Sequence, residues 1–105
     1  MRILIIAATE NEIKPFLNSE IQKQNSIDIL ITGVGMVATS YNLAKKLSEN
    51  SYHLLLNVGI AGTFDKDTPL GTVLRVKEDC FSELGAQNDN EFLTLKDLNL
   101  GDFRF

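Results

Sequence analysis

Three short aliphatic runs constrain this chain more than any other feature, because each one feeds directly into a loop of small residues. Residues 1–8 read Met-Arg-Ile-Leu-Ile-Ile-Ala-Ala, residues 27–32 read Ile-Asp-Ile-Leu-Ile-Thr, and residues 54–58 read Leu-Leu-Leu-Asn-Val. Nearly continuous apolar stretches of this length are the pattern of strands covered on both faces, as in a parallel sheet flanked by helices. All three are expected as buried strands of an α/β fold, with the first one central. Helical signals separate them. Thr9, followed three residues later by Glu12, is a capping-box signature that predicts a helix running toward Leu17, shortened or bent by Pro15. From residue 36 onward, Met36, Val37, Ser40, Leu43, Ala44 and Leu47 recur at helical spacing against Asn42, Lys45, Lys46 and Glu49, which predicts an amphipathic helix ending near Asn50. Residues 21–24 suggest an edge strand. Residues 72–79 alternate Leu74 and Val76 with Arg75 and Lys77, the pattern of a half-exposed strand, and the remainder shows only a weak helical patch over residues 93–98.

Composition removes several functional classes. A length of 105 residues allows one domain at most, and 44% hydrophobic with 23% charged residues is ordinary for a globular chain. The net charge of −4 argues against a nucleic-acid partner, and no apolar run approaches the roughly 18 residues of a membrane span. No export signal stands out, so a cytoplasmic location is expected. Cys80 and His53 are the only residues of their types, which precludes an internal disulfide and leaves too few soft ligands for a structural zinc site. Both are expected as packing residues; Glu10, Asp65, Asp67, Asp89 and Glu91 read as solvated charges.

Ligand sites of open α/β sheets lie outside the carboxyl ends of the strands. Three loops fall there: Thr9 to Glu12, Gly33 to Ala38, and Asn57 to Gly62. Gly33-Val34-Gly35-Met36-Val37-Ala38 fits a G-x-G-x-x-A dinucleotide fingerprint, yet it follows the second strand, and the next strand ends in Asn57 instead of the acid a ribose needs. A bare strand-to-helix turn is the competing reading of those glycines. Asn57-Val58-Gly59-Ile60-Ala61-Gly62 bares backbone amides suited to a sugar or an anion, or simply makes a tight turn. Glu12 by itself is better explained by capping than by catalysis.

Taken together, Ile-Ile-Ala-Ala-Thr-Glu-Asn-Glu (5–12), Thr-Gly-Val-Gly-Met-Val-Ala (32–38), Asn-Val-Gly-Ile-Ala-Gly (57–62) and Pro-Leu-Gly-Thr-Val-Leu (69–74) resemble the N-terminal half of the nucleoside phosphorylase superfamily. The likeness extends from Met1 to about Ala86. Its spacing is similar to that of methylthioadenosine/adenosylhomocysteine nucleosidase, and its wording around residues 34–39 and 82–86 is closer to futalosine hydrolase, an enzyme of an alternative menaquinone route.

The resemblance implies a three-layer αβα sandwich around a mixed, largely parallel sheet, here incomplete, and a cytoplasmic homodimer or higher homo-oligomer that cleaves a base–ribose bond without a cofactor or metal. It puts Glu12 where the nucleosidases hold the attacking water. Ala8, Val34, Gly35, Ile60, Ala61 and Gly62 fall on the substrate-binding positions, with Ile60 where related nucleosidases often carry a serine. The aspartate that protonates the leaving base and the glutamate that binds the ribose hydroxyls belong, in that family, to a C-terminal half beyond Phe105. The chain is therefore expected to be the N-terminal portion of a single domain and inactive alone.

A carboxylate can orient water and stabilise the positive charge that develops on the sugar. No Arg or Lys lies in residues 7–13, 33–38 or 57–62, so hydrolysis is favoured over attack by a phosphate dianion. A phosphate-dependent phosphorylase and a non-catalytic nucleoside-binding half-domain are the alternatives.

Overall fold

The computed structural model describes residues 1–21 and 26–101. They fall into two compact units, Met1–Phe64 and Asp65–Phe105.

Among the described residues the first unit is a parallel sheet with helices after its first and second strands. Strand β1 (Ile3–Ala7) is central, β2 (Ile27–Ile31) and β3 (Leu54–Asn57) flank it, and both pairings are parallel. Helix α1 (Glu10–Leu17) follows β1, and α2 (Met36–Glu49) joins β2 to β3. The aliphatic run of β1 is explained by its place, since Leu4, Ile5, Ile6 and Ala7 are all buried. Alternation directs Ile3, Ile5 and Ala7 to one face. There Ile5 and Ala7 pack with Ile13 of α1, and Ile3, Phe16, Leu17, Ile27 and Ile29 surround them. Full burial of a side chain such as Ile13 contributes about 1.5–3 kcal/mol relative to exposure.

Several sequence expectations change here. The β3 leucines are exposed, Leu54 at 38% and Leu56 at 41%, instead of buried. The physical reason is that strand side chains stand off the two faces of the sheet, and among the described residues no helix packs closely over β3. Strand β2 is likewise half-buried, with Ile31 exposed. Helix α2 has the expected span but presents a different face. Ala38, Thr39, Asn42, Leu43 and Lys46 are the partly covered positions, while Val37 is 85% and Tyr41 69% exposed. Polar contacts set that rotation: the Asn42 amide donates to the Thr32 carbonyl at 2.9 Å, and the Thr32 and Thr39 hydroxyls lie 3.1 Å apart. Thr32 is buried at the end of β2, so its backbone oxygen needs a donor that water cannot supply. The edge strand expected over residues 21–24 lies largely outside the described residues, and Ile21 itself is helical.

At the opposite end of the sheet a polar cluster ties the strand starts together. Arg2 donates to Asp28 at 2.7 Å and to the Asn50 side chain at 3.1 Å, and its guanidinium stands 4.7 Å above the Tyr52 ring. The Tyr52 hydroxyl donates to the same Asp28 oxygen at 2.6 Å. His53, expected to pack inside, is exposed; its Nδ1 accepts the Arg2 N–H at 3.0 Å, and its own N–H donates to the Arg2 carbonyl at 2.8 Å. It closes the edge of the ladder before β3 begins. The Tyr52 hydroxyl, and next the Arg2 guanidinium, hold the Asp28 carboxyl below the usual carboxylate range. The unfolded chain therefore binds this proton more readily. Stability from the cluster is fully present above about pH 4 and is lost as pH falls through the folded value. Asp28→Asn should lower the melting temperature near neutrality, and the gap to the parent should narrow as pH falls below about 4 in a thermal-melt series. A gap that stays constant with pH would show that Asp28 contributes through shape alone.

In the second unit, β4 (Gly85–Asn88) and β5 (Glu91–Thr94) form an antiparallel hairpin, with Asn88 opposite Glu91. The two-residue turn between them places Asp89 at φ 51°, a region Asp tolerates better than most residues. After β5, Asp97 accepts the Thr94 hydroxyl at 2.6 Å and its amide at 3.0 Å, reversing the chain again. The helical patch expected over residues 93–98 is thus part strand and part turn. Six residues are too few to sustain a helix, and the hairpin satisfies the same backbone groups. The strand expected over residues 72–79 does not form. Its alternation is real, but Leu74 and Val76 are both about three-quarters exposed, so the apolar face of the segment has little to pack against. Cys80, expected to pack, is exposed as well.

Candidate functional site

At their carboxyl ends the three strands continue to hold one another. Thr32 N–H donates to the Ala7 carbonyl at 2.9 Å, Gly33 N–H to Ala8 at 3.1 Å, and Val58 N–H to Ile6 at 2.8 Å. Beyond this edge the chain leaves β1 through Thr9, which is extended (φ −136°, ψ 155°) and caps α1. Glu12 then sits in the first helical turn with its side chain folded back. Its Oε2 accepts the Thr9 N–H at 2.9 Å and the Thr9 hydroxyl at 3.1 Å, closing the expected capping box. Its Oε1 accepts the Ile60 N–H at 3.4 Å from the loop after β3.

That second contact goes beyond capping. With the strand order β2-β1-β3, the chain leaves β1 toward β2 and later returns across the sheet to β3, so the order reverses between β1 and β3. Crevices at such reversals are where ligands of open α/β sheets bind. Glu12 bridges this one, joined on one side to Thr9 and on the other to Ile60. Beside the carboxylate lies a cavity of about 290 Å³ lined by Ile5, Glu12, Ile13, Pro15, Phe16 and Val58. Five of the six lining residues are apolar, so a carboxylate stands at the margin of an otherwise greasy hollow.

Hydrogen bonds set the protonation state. The Thr9 amide, followed by the Ile60 amide, holds the Glu12 carboxyl below the usual glutamate range, outweighing partial burial. At neutral pH the group is an anion. A carboxylate of lowered pKa is a weak proton acceptor but a dependable negative charge, so it suits orienting a donor and stabilising an adjacent cation better than it suits protonating a leaving group.

The other expected residues are placed with less connection to that centre. Ala8 is half-buried and linked to the Gly33 turn. Gly35 is the N-cap of α2 with φ 96°, and Gly33 has φ 83°, so the strand-to-helix turn itself requires glycine at both. Val34 between them is 77% exposed. The Ile60 side chain is also exposed, its contribution being the amide, and Ala61 and Gly62 follow on the exposed loop. The structure therefore joins Glu12 with Ile60, and Ala8 with Gly33, and leaves Val34, Gly35, Ala61 and Gly62 at exposed loop positions. Sequence reasoning missed Pro15, Phe16 and Val58 as cavity walls, and Thr9 as a second holder of the carboxylate. The T-x-x-E spacing already carried the Thr9 signal; the walls depend on how α1 lies against β1 and the residue that follows β3. Among the described residues no helix is long and apolar enough to cross a membrane, and no three His, Cys, Asp or Glu side chains gather as a metal site.

No family model, curated protein or solved structure matches the chain.

Proposed function

We propose that this chain supplies the water-side half of a nucleoside N-ribosyl hydrolase, of the kind its motifs resemble in futalosine hydrolase. The observation that carries this reading is the Glu12 carboxylate, ionised and bridging the β1 and β3 loops at the point where the strand order reverses. Breaking an N-ribosidic bond develops positive charge on the sugar, and a fixed anion on the face opposite the leaving base both stabilises that charge and aligns a water with it. Glu12 fills both roles in this reading, with the exposed loops at Val34 and Gly35 and at Ala61 and Gly62 flanking the nucleoside. A separate leaving-group acid, a three-layer αβα sandwich and a homodimer or larger oligomer belong to the same reading.

Hydrolysis is preferred over phosphorolysis because no Arg or Lys occurs in residues 7–13, 33–38 or 57–62. A phosphate dianion beside Glu12 would meet repulsion and no counter-charge. The test is a nucleoside panel on the full-length protein, with free base followed by chromatography, with and without phosphate. Base release at the same rate in both conditions, with free sugar as product, is the expected result. Turnover that starts only when phosphate is added, and yields sugar phosphate, would make the protein a phosphorylase.

A further inference from the structure

Gly59 raises a question that its backbone does not answer. The glycines with positive φ among the described residues are Gly33, Gly35, Gly71 and Gly101, so Gly59 is not required by torsion. Space is the constraint. A Cβ built on Gly59 would lie 3.1 Å from Glu12 Oε1, 3.5 Å from its Cδ and 3.9 Å from Oε2, and these are its three nearest atoms. The same carbon on Gly35 would meet nothing within 4 Å. We propose that Gly59 is a positioning residue for the Glu12 carboxylate: its missing side chain lets Oε1 lie against the loop after β3, within reach of the Ile60 N–H.

The two ends of the carboxylate are held unequally. Oε2 takes two bonds from Thr9, whereas Oε1 has the single long bond of 3.4 Å from Ile60. An added methyl at position 59 would push on Oε1, the end with the least restraint. A displacement of a few tenths of an ångström takes that bond past the length at which it counts as one, so the carboxylate pivots about Thr9 and loses its aim across the β1–β3 crevice. The lowered pKa of Glu12, to which the Ile60 amide contributes, is in keeping with this arrangement. Only the catalytic consequence rests on the nucleosidase reading; the contact itself does not.

The test compares the parent chain with Gly59→Ala, following the Glu12 side-chain carboxyl and the Ile60 and Thr9 amides by NMR through a pH titration. In the variant the Glu12 pKa should rise toward the ordinary glutamate value and the Ile60 amide should cease to follow the Glu12 titration, while the Thr9 amide still follows it. A folded Gly59→Ala in which the Glu12 titration is unchanged and the Ile60 amide still follows it would overturn the proposal. If Gly59→Ala fails to fold, Glu12→Ala is added: recovery of the fold in the double variant supports the contact, and equal failure overturns it. In the full-length protein, on the nucleosidase reading, Gly59→Ala should lower kcat about tenfold to a hundredfold with KM little changed. A shifted Glu12 titration in a protein that cleaves no nucleoside would leave Gly59 as the positioning residue and remove the nucleosidase reading instead.

Discussion

On the proposed hydrolase reading, Glu12→Gln in the full-length protein should lower kcat by about a hundredfold to ten-thousandfold, the usual range for loss of a positioned acid or base. The reasoning separates two roles that one side chain performs. As a cap, Glu12 accepts the Thr9 N–H, and glutamine can do the same through its amide oxygen. As a bridge it accepts donors on both oxygens, and glutamine has only one oxygen to offer. The amide nitrogen would then face another donor, so the β3 loop should loosen slightly and the melting temperature should fall a little. Catalysis loses more, because a neutral amide cannot offset the charge developing on the sugar. That interaction is made mainly in the transition state, so KM should move far less than kcat. Steady-state kinetics and thermal melts on one preparation decide the matter. Turnover within a few fold of the parent would reduce Glu12 to a helix cap.

The chain of 105 residues should show no nucleosidase turnover by itself, and should self-associate. Inactivity follows from the proposed division of labour: Glu12 supplies the water side, and an anion at neutral pH cannot protonate the departing base. Self-association follows from what the first unit leaves uncovered. Strand β3 has a single neighbour among the described residues, and Leu54, Leu55, Leu56 and Val58 are each exposed. An apolar strand with a free row of backbone donors and acceptors is a template for pairing with another chain. Sedimentation velocity across a concentration series, beside an assay of base release, tests both statements. A monodisperse monomer that releases base would refute them together.

The sequence by itself determined the local parts of the first unit. The aliphatic run of residues 3–7 became the central strand, T-x-x-E became the start of α1, and the amphipathic span of residues 36–49 became α2. These elements depend on contacts within a few residues or on a hydrophobic pattern strong enough to admit one solution. The sequence also singled out Glu12 and Ile60, which the structure joins at 3.4 Å. Tertiary structure decided the rest. Burial of β3 depends on what covers the faces of the sheet there, which Leu-Leu-Leu cannot report. The face that α2 presents is set by Asn42 and Thr39 reaching Thr32, polar contacts that a count of apolar positions overlooks. Residues 72–79 alternate like a strand and form none, because a strand is stable only with a partner, and partners are chosen by the fold. For the same reason the sequence placed glycine at position 59 without saying why. Only the approach of Glu12 across the sheet, 48 residues from Ile60 along the chain, shows that a side chain there would stand where the carboxylate does.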